Sequence, residues 1–170
     1  YQHFFDKYDG FQGNLGLQAN YTYIDAKTNS PLPINDANTQ DPAAGDAFAR
    51  IYRYNVPDYL GLSKHTYNLI GIYQDDGGLE VRVAYNWRSS HASSYRDFVT
   101  GNPIFQQSRG YLDASVKYDI NETVQFRLQA ANILDTVAKA NQQIDADGQQ
   151  FGRTAFVGDR RIKAGFQFTF

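Results

Sequence analysis

Arg161-Ile162-Lys163-Ala164-Gly165-Phe166-Gln167-Phe168-Thr169-Phe170 alternates without a fault. Ile162, Ala164, Phe166, Phe168 and Phe170 share one parity, and Arg161, Lys163, Gly165, Gln167 and Thr169 share the other. Successive side chains of a strand point to opposite faces, so the segment is an apolar ribbon backed by a polar one. A terminal strand of a soluble domain usually frays into polar residues; this one stays aromatic to its last position. Such a strand has apolar medium on one side and water on the other, as in the wall of a membrane β-barrel.

The same scheme recurs upstream. Over 11–24, Phe11, Gly13, Leu15, Leu17, Ala19, Tyr21 and Tyr23 alternate with Gln12, Asn14, Gly16, Gln18, Asn20 and Thr22, and only Ile24 breaks the rule. Over 79–88, Leu79, Val81, Val83, Tyr85 and Trp87 alternate with Glu80, Arg82, Ala84, Asn86 and Arg88. The stretches 111–120 and 123–131 set Leu112, Ala114, Val116, Tyr118, Val124, Phe126 and Leu128 against Asp113, Ser115, Lys117, Gln125, Arg127 and Gln129. These patterns predict strands with one buried or lipid-facing side. In 64–74, Tyr67, Leu69, Gly71 and Tyr73 compete with Ile70 and Ile72 for the outer face, and the register stays open.

Ten strand residues span roughly 33 Å, or about 23 Å of height at a 45° tilt, close to the apolar band of an outer-membrane barrel. The connections alternate in length. Residues 75–78 (Asp-Asp-Gly-Gly) and 121–123 (Asn-Glu-Thr) carry tight-turn chemistry, and parity makes the second a three-residue loop. The stretches 25–63, 89–110 and 135–158 are long, polar and rich in Asn, Asp, Gln, Gly and Pro, and they read as loops. Short turns at one end and long loops at the other match periplasm and exterior.

The bulk numbers agree with such a wall and exclude other classes. Net charge is −2 over 170 residues, which gives no electrostatic case for nucleic acid. Mean hydropathy is −0.56 and no run of 18 apolar residues exists, so no transmembrane helix is encoded. Averaging over two faces hides a barrel strand from that measure. Thirteen Tyr, twelve Phe and one Trp are plentiful enough for interfacial girdles. Cysteine is absent, so there is neither disulfide nor thiolate metal site.

Six strands cannot close, and an open sheet in lipid strands its edge N–H and C=O groups at several kcal/mol each. The expectation is therefore an all-β, antiparallel transmembrane β-barrel segment spanning 1–170, with earlier strands outside the chain. Residues 1–5 read as the end of a preceding strand and 6–10 as another periplasmic turn. Residues 48–56 offer a further strand for the alternative, a small closed barrel that anchors or adheres without transport. The fragment is favoured because a small barrel fills its interior with side chains. The inner face here carries Glu80, Arg82, Arg88, Lys117, Arg127, Arg161 and Lys163, suited to water or a protein plug. A soluble β-sandwich lectin fits the long one-sided strands poorly.

Asn132-Ile133-Leu134-Asp135, a long loop, Gly152-Arg153-Thr154 and the final Phe166-Gln167-Phe168-Thr169-Phe170 together resemble the C-terminal signature of TonB-dependent outer-membrane receptors. Gly61-Leu62-Ser63-Lys64-His65-Thr66-Tyr67-Asn68, Ala84-Tyr85-Asn86-Trp87-Arg88 and Ala19-Asn20-Tyr21-Thr22-Tyr23 are similar to barrel stretches of the same family. Ile133 stands where Leu is usual, a conservative departure. The resemblance implies the last six to seven strands of a 22-strand barrel in the outer membrane of a Gram-negative bacterium. It implies uptake of a sugar, oligosaccharide or iron–siderophore, driven through TonB by way of a plug and TonB box upstream of this chain. It also implies a terminal aromatic, Phe170, read by the barrel-insertion machinery.

No catalytic constellation is present, no cofactor is called for, and the protein does not read as an enzyme. His3, His65 and His91 are scattered, with His65 and His91 expected at the solvated outer rim. Asp145-x-Asp147-Gly148 lacks the later ligands of a calcium loop and reads as a turn, and Asp36, Asn38 and Asp41 read no differently. Tyr21, Tyr23, Tyr85 and Trp87, with Phe166 and Phe168 at the other end, are expected in lipid-face girdles. Arg50, Tyr52, Arg53 and Tyr54 interleave cations and aromatics in the longest loop, which makes them the candidates for contact with a small-molecule substrate.

Overall fold

The computed structural model describes residues 1–5, 13–28, 58–95, 97, 102–144 and 147–169. They form eleven strands and no helix: β1 (Gln2–Phe5), β2 (Asn14–Tyr23), β3 (His65–Gln74), β4 (Leu79–Arg88), β5 (His91–Ser94), β6 (Ile104–Gln106), β7 (Arg109–Asn121), β8 (Val124–Ala131), β9 (Val137–Gln143), β10 (Gln150–Val157) and β11 (Arg161–Phe168). Two antiparallel sheets result. The larger runs β1-β2-β3-β4-β7-β8-β11, and the smaller runs β10-β9-β6-β5. The all-β antiparallel class expected from the sequence is therefore what the chain adopts. The seven-stranded sheet is open among the described residues, with β1 and β11 at its edges.

The register turns the alternation of single strands into two continuous faces, because directly paired residues lie on the same side. One mid-height row runs Leu17, Gly71, Val83, Ala114, Ala130 and Ile162; the next runs Leu15, Tyr73, Val81, Val116, Leu128 and Ala164. Behind them lie the rows Gly16, Ile72, Arg82, Ser115, Gln129 and Lys163, and Gln74, Glu80, Lys117, Arg127 and Gly165. The open register of 64–74 is decided by both neighbours. Tyr67 pairs with Tyr21 and Trp87, and Leu69 pairs with Ala19 and Tyr85, so the odd positions join the apolar face and Ile70 and Ile72 the polar one. Residues 1–5 supply β1, which pairs with β2 as the expected preceding strand.

Both short connections are tight turns, but their construction differs. In the first, Asp75 Oδ1 accepts the Leu79 amide (2.9 Å) and Gly78 sits at φ +84°, a left-handed conformation open to glycine at little cost. A Cβ on Gly78 would also come within 2.8 Å of Asp119 Cβ. We expect Gly78→Ala to cost about 2–3 kcal/mol of unfolding free energy, while Gly77→Ala, without positive φ, costs far less. Equal effects at the two positions in denaturant titration would contradict this. The second turn corrects the three-residue loop expected at 121–123. Asn121 pairs with Val124, so the loop is Glu122-Thr123, and a register shift between Asp119 and Asn121 leaves Ile120 as an extra residue. That bulge absorbs the parity. Asn121 Oδ1 caps the turn by accepting the Thr123 and Val124 amides, each at 2.9 Å.

The stretches 89–110 and 135–158, expected to be loops, contain the whole second sheet. β5 follows β4 after two residues, β6 precedes β7 by two, β9 follows β8 and β10 precedes β11, so the order β5-β6-β9-β10 repeats β4-β7-β8-β11. The hairpins thus continue past the wall, at the end away from the short turns. Their strands escaped the sequence because Ser, Gln and Asn have low strand propensity and because neither face is uniformly apolar. The small buried centre lies here: Ala92 and Ala140 are the buried apolar residues among those described, Tyr95 and Phe105 pack on Ala92, and Pro103 is fully enclosed. The larger sheet has no such core, and Leu15, Leu17, Leu69, Val83, Phe166 and Phe168 are exposed.

Candidate functional site

Three groupings stand out: the polar face, the joint between the sheets, and an aromatic cluster. The polar face carries every residue expected to point inward. Glu80, Arg82, Arg88, Lys117, Arg127, Arg161 and Lys163 all fall on it by register. Lys117 Nζ bonds both Glu80 oxygens at 3.1 Å, an exposed pair worth at most about 1 kcal/mol. Arg127 Nε donates to Gln125 Oε1 (2.6 Å), and Gln125 donates to Asp119 (2.6 Å). A concavity of about 470 Å³ is lined by Arg82, Arg161 and Lys163 together with Ala84, Ser115 and Ala131. Asp113, the carboxylate within it, accepts the Asn132 amide (2.9 Å), so the hollow is electropositive.

The joint is held by two clusters. Asn132, at φ +54°, spends its side chain on both sheets. Its Nδ2 donates to Gly158 O (3.0 Å), its Oδ1 accepts the Thr136 amide (2.9 Å), and the Thr136 hydroxyl donates to Gly110 O. The Asn-Ile-Leu-Asp step is thus the turn by which β8 becomes β9. In the Gly152-Arg153-Thr154 step the β9–β10 register shifts at Arg153, a bulge that re-aims its guanidinium onto Asp97 at 2.7 Å. Asp97 is 8% exposed, so this pair is far drier than Lys117–Glu80.

Ser63, Arg88 and His91 form the second cluster. The Ser63 hydroxyl donates to Ser89 O (2.8 Å), which leaves its lone pairs for Arg88 Nε–H (2.9 Å) and His91 Nδ1–H (3.2 Å). His91 Nε2 then faces Arg88 Nη2 at 3.5 Å as an acceptor, which assigns the neutral imidazole. Burial first, and the Arg88 charge second, hold the His91 pKa below its usual range. Ser63 and His91 are 4% and 8% exposed, so His91 is not the solvated rim residue expected from the sequence. Although a serine and a histidine meet, the hydroxyl proton points away from the imidazole and no carboxylate orients the ring. The pair is therefore not arranged as a nucleophile and base.

On the apolar face, Tyr21, Tyr23, Tyr85 and Trp87 lie at the joint end as expected, and Phe166 and Phe168 lie toward the short turns. The structure adds two members. Tyr67 stacks on Trp87 (5.0 Å between centroids) and tilts against Tyr85, and His65 Nδ1 meets the Tyr21 hydroxyl at 2.8 Å. Lys64 Nζ sits 5.5 Å from the Tyr23 ring centre. Parity alone marked Tyr67 as a contender; only the pairing with β2 and β4 settles it.

Arg50, Tyr52, Arg53, Tyr54 and Phe170 lie outside the described residues, as do the 6–10 turn, the 48–56 strand, Asp36, Asn38, Asp41 and Asp145. No metal-holding group of three His, Asp or Glu exists among the described residues. No protein family, curated protein or solved structure matches the chain.

Proposed function

We propose that this chain forms part of the wall of an outer-membrane β-barrel receptor that imports a nutrient with energy delivered through TonB. The observation that carries the reading is the apolar face of the seven-stranded sheet, continuous across mid-height from β2 to β11 and interrupted by His3 on β1 and His65 on β3. A soluble domain would cover such a face with a second layer, and among the described residues none covers it. Lipid is the medium that favours it without a covering layer. The aromatic cluster then lies at the outer headgroup level, with the β5-β6-β9-β10 sheet beyond it in water. The polar face, with its excess of cations, lines the interior against water or a plug from the same receptor. The unpaired edges of β1 and β11 meet further strands of a larger barrel, as the resemblance to the 22-strand family implies. The substrate class is a sugar, oligosaccharide or iron chelate, with Arg50, Tyr52, Arg53 and Tyr54 as the candidate contacts, and no covalent chemistry is involved.

Two experiments test this reading. Trp87 is the single tryptophan of these 170 residues, so in a full-length protein with every other tryptophan replaced by phenylalanine its fluorescence reports one position. In vesicles of lipids brominated on the upper acyl chain, we expect quenching of at least twofold, and an unquenched Trp87 removes it from the lipid face. Transport is tested separately by uptake in cells lacking the gene or lacking TonB, where both deletions are expected to abolish growth on the limiting nutrient. Membrane insertion with unchanged uptake would favour an anchoring barrel instead.

A further inference from the structure

We propose that Ser63, Arg88 and His91 form an acid-sensitive latch, which holds the 58–63 segment against the β4–β5 junction and releases it when His91 takes up a proton. The segment is tied down by five hydrogen bonds, three of them made by Arg88 or Ser63. Gly61 N donates to Ala92 O (2.8 Å), Arg88 Nη2 to Gly61 O (3.1 Å), Arg88 Nε to Ser63 Oγ (2.9 Å), Ser63 Oγ to Ser89 O (2.8 Å) and Tyr95 Oη to Asp58 O (2.9 Å). Asp58 in turn bridges to Lys27, so the latch also fixes the end of the β2 extension.

Arg88 is the pivot, because it serves both Gly61 and Ser63 while resting against His91 Nε2 at 3.5 Å. That contact exists only while Nε2 carries a lone pair. Protonation turns the acceptor into a donor and sets two cations against each other in a part-buried site. The Ser89 backbone, hydrogen-bonded to the ring, favours the charged form, but burial and Arg88 outweigh it. The charged groups that face His91 are Arg88 from β4 and Arg109 from β7, which pairs directly with Arg88. Gln106 of β6 lies opposite His91, and Ser63 and Ser89 complete the shell, all neutral. Among the described residues no carboxylate pairs with any of the three, since Asp97 is bonded to Arg153 and Glu80 to Lys117.

The native pKa of His91 lies below the ordinary 6.5, so the released state binds the proton more tightly. Above about pH 6.5 both states are neutral and the latch has its full strength. It weakens as pH falls through 6.5 toward the depressed native value, and then levels off.

The test uses the full-length protein in nanodiscs, comparing exchange of the Gly61 amide at pH 7.5 and 5.0, each corrected for its intrinsic rate. We expect at least a tenfold loss of protection, with a midpoint that coincides with the NMR titration of the His91 ring below pH 6.5. In His91→Asn, which keeps a neutral donor toward Ser63, protection should change less than twofold over the same range. Three results each overturn the latch: a His91 ring that titrates at or above 6.5, constant Gly61 protection in the wild type, or an equal loss in His91→Asn. If the variant does not fold, the two wild-type readings decide alone. The outcome is independent of transport.

Discussion

Leu128→Arg is expected to lower unfolding stability by about 2–4 kcal/mol in phospholipid vesicles, and Asn68→Arg to change it by no more than about 0.5 kcal/mol. The two sites sit on opposite faces of the same sheet. Leu128 lies between Val116 and Ala164 in the mid-height apolar row, and Asn68 lies between Asn20 and Asn86 on the polar side. A guanidinium at Leu128 must leave water for hydrocarbon, with no charge nearby to receive it. At Asn68 it stays solvated beside amides that accept hydrogen bonds. If the apolar face looked into water, Leu128→Arg would be nearly neutral, and equal denaturant midpoints for the two variants would refute a lipid-facing wall.

Asn132→Ala should be the most damaging single truncation at the joint, by about 3–5 kcal/mol. Two costs add. The backbone at φ +54° favours Asn or Gly, and forcing Ala there costs roughly 1–2 kcal/mol. The half-buried Thr136 amide and the exposed Gly158 carbonyl lose their side-chain partners, at about 1–1.5 kcal/mol for each bond. Asn132→Gly separates them, because it keeps the backbone and loses only the bonds. We expect it to recover a third or so of the loss in urea titration, with Thr136 exchange still accelerated. Full recovery would mean that the side-chain bonds contribute nothing.

The wall was legible in the sequence for a physical reason. When one face of a sheet is apolar and the other polar, each residue of its strands obeys a local parity rule. Leu79 to Arg88 and Arg161 to Phe168 obey it without help from any distant neighbour. The places of the short turns were legible too, since Gly78 takes a positive φ and Asn121 Oδ1 caps two amides, but the length of the second was not, because the Ile120 bulge absorbs one residue. The β5-β6-β9-β10 sheet was not, because its strands have no uniformly apolar side. What stabilises them is pairing between segments far apart in sequence and a small centre around Ala92 and Ala140.

The site divides along the same line. Composition and parity identified the cations of the polar face and most of the aromatic cluster, since each is a property of a single strand. The third strand's register, and with it Tyr67 and His65, needed both neighbours, because its two faces are almost equally apolar and only cross-strand pairs distinguish them. Sequence likewise placed His91 at a wet rim. Its burial, its neutral tautomer and its contact with Arg88 arise where Ser63 and Ser89, 26 residues apart, are brought together by the β3–β4 ladder. By itself the sequence determined which side of each strand of the larger sheet is apolar and which is polar, since that preference is written residue by residue. Which polar residues leave the water to hold the joint was decided only by the tertiary structure, because a buried hydrogen bond depends on where the partner lies.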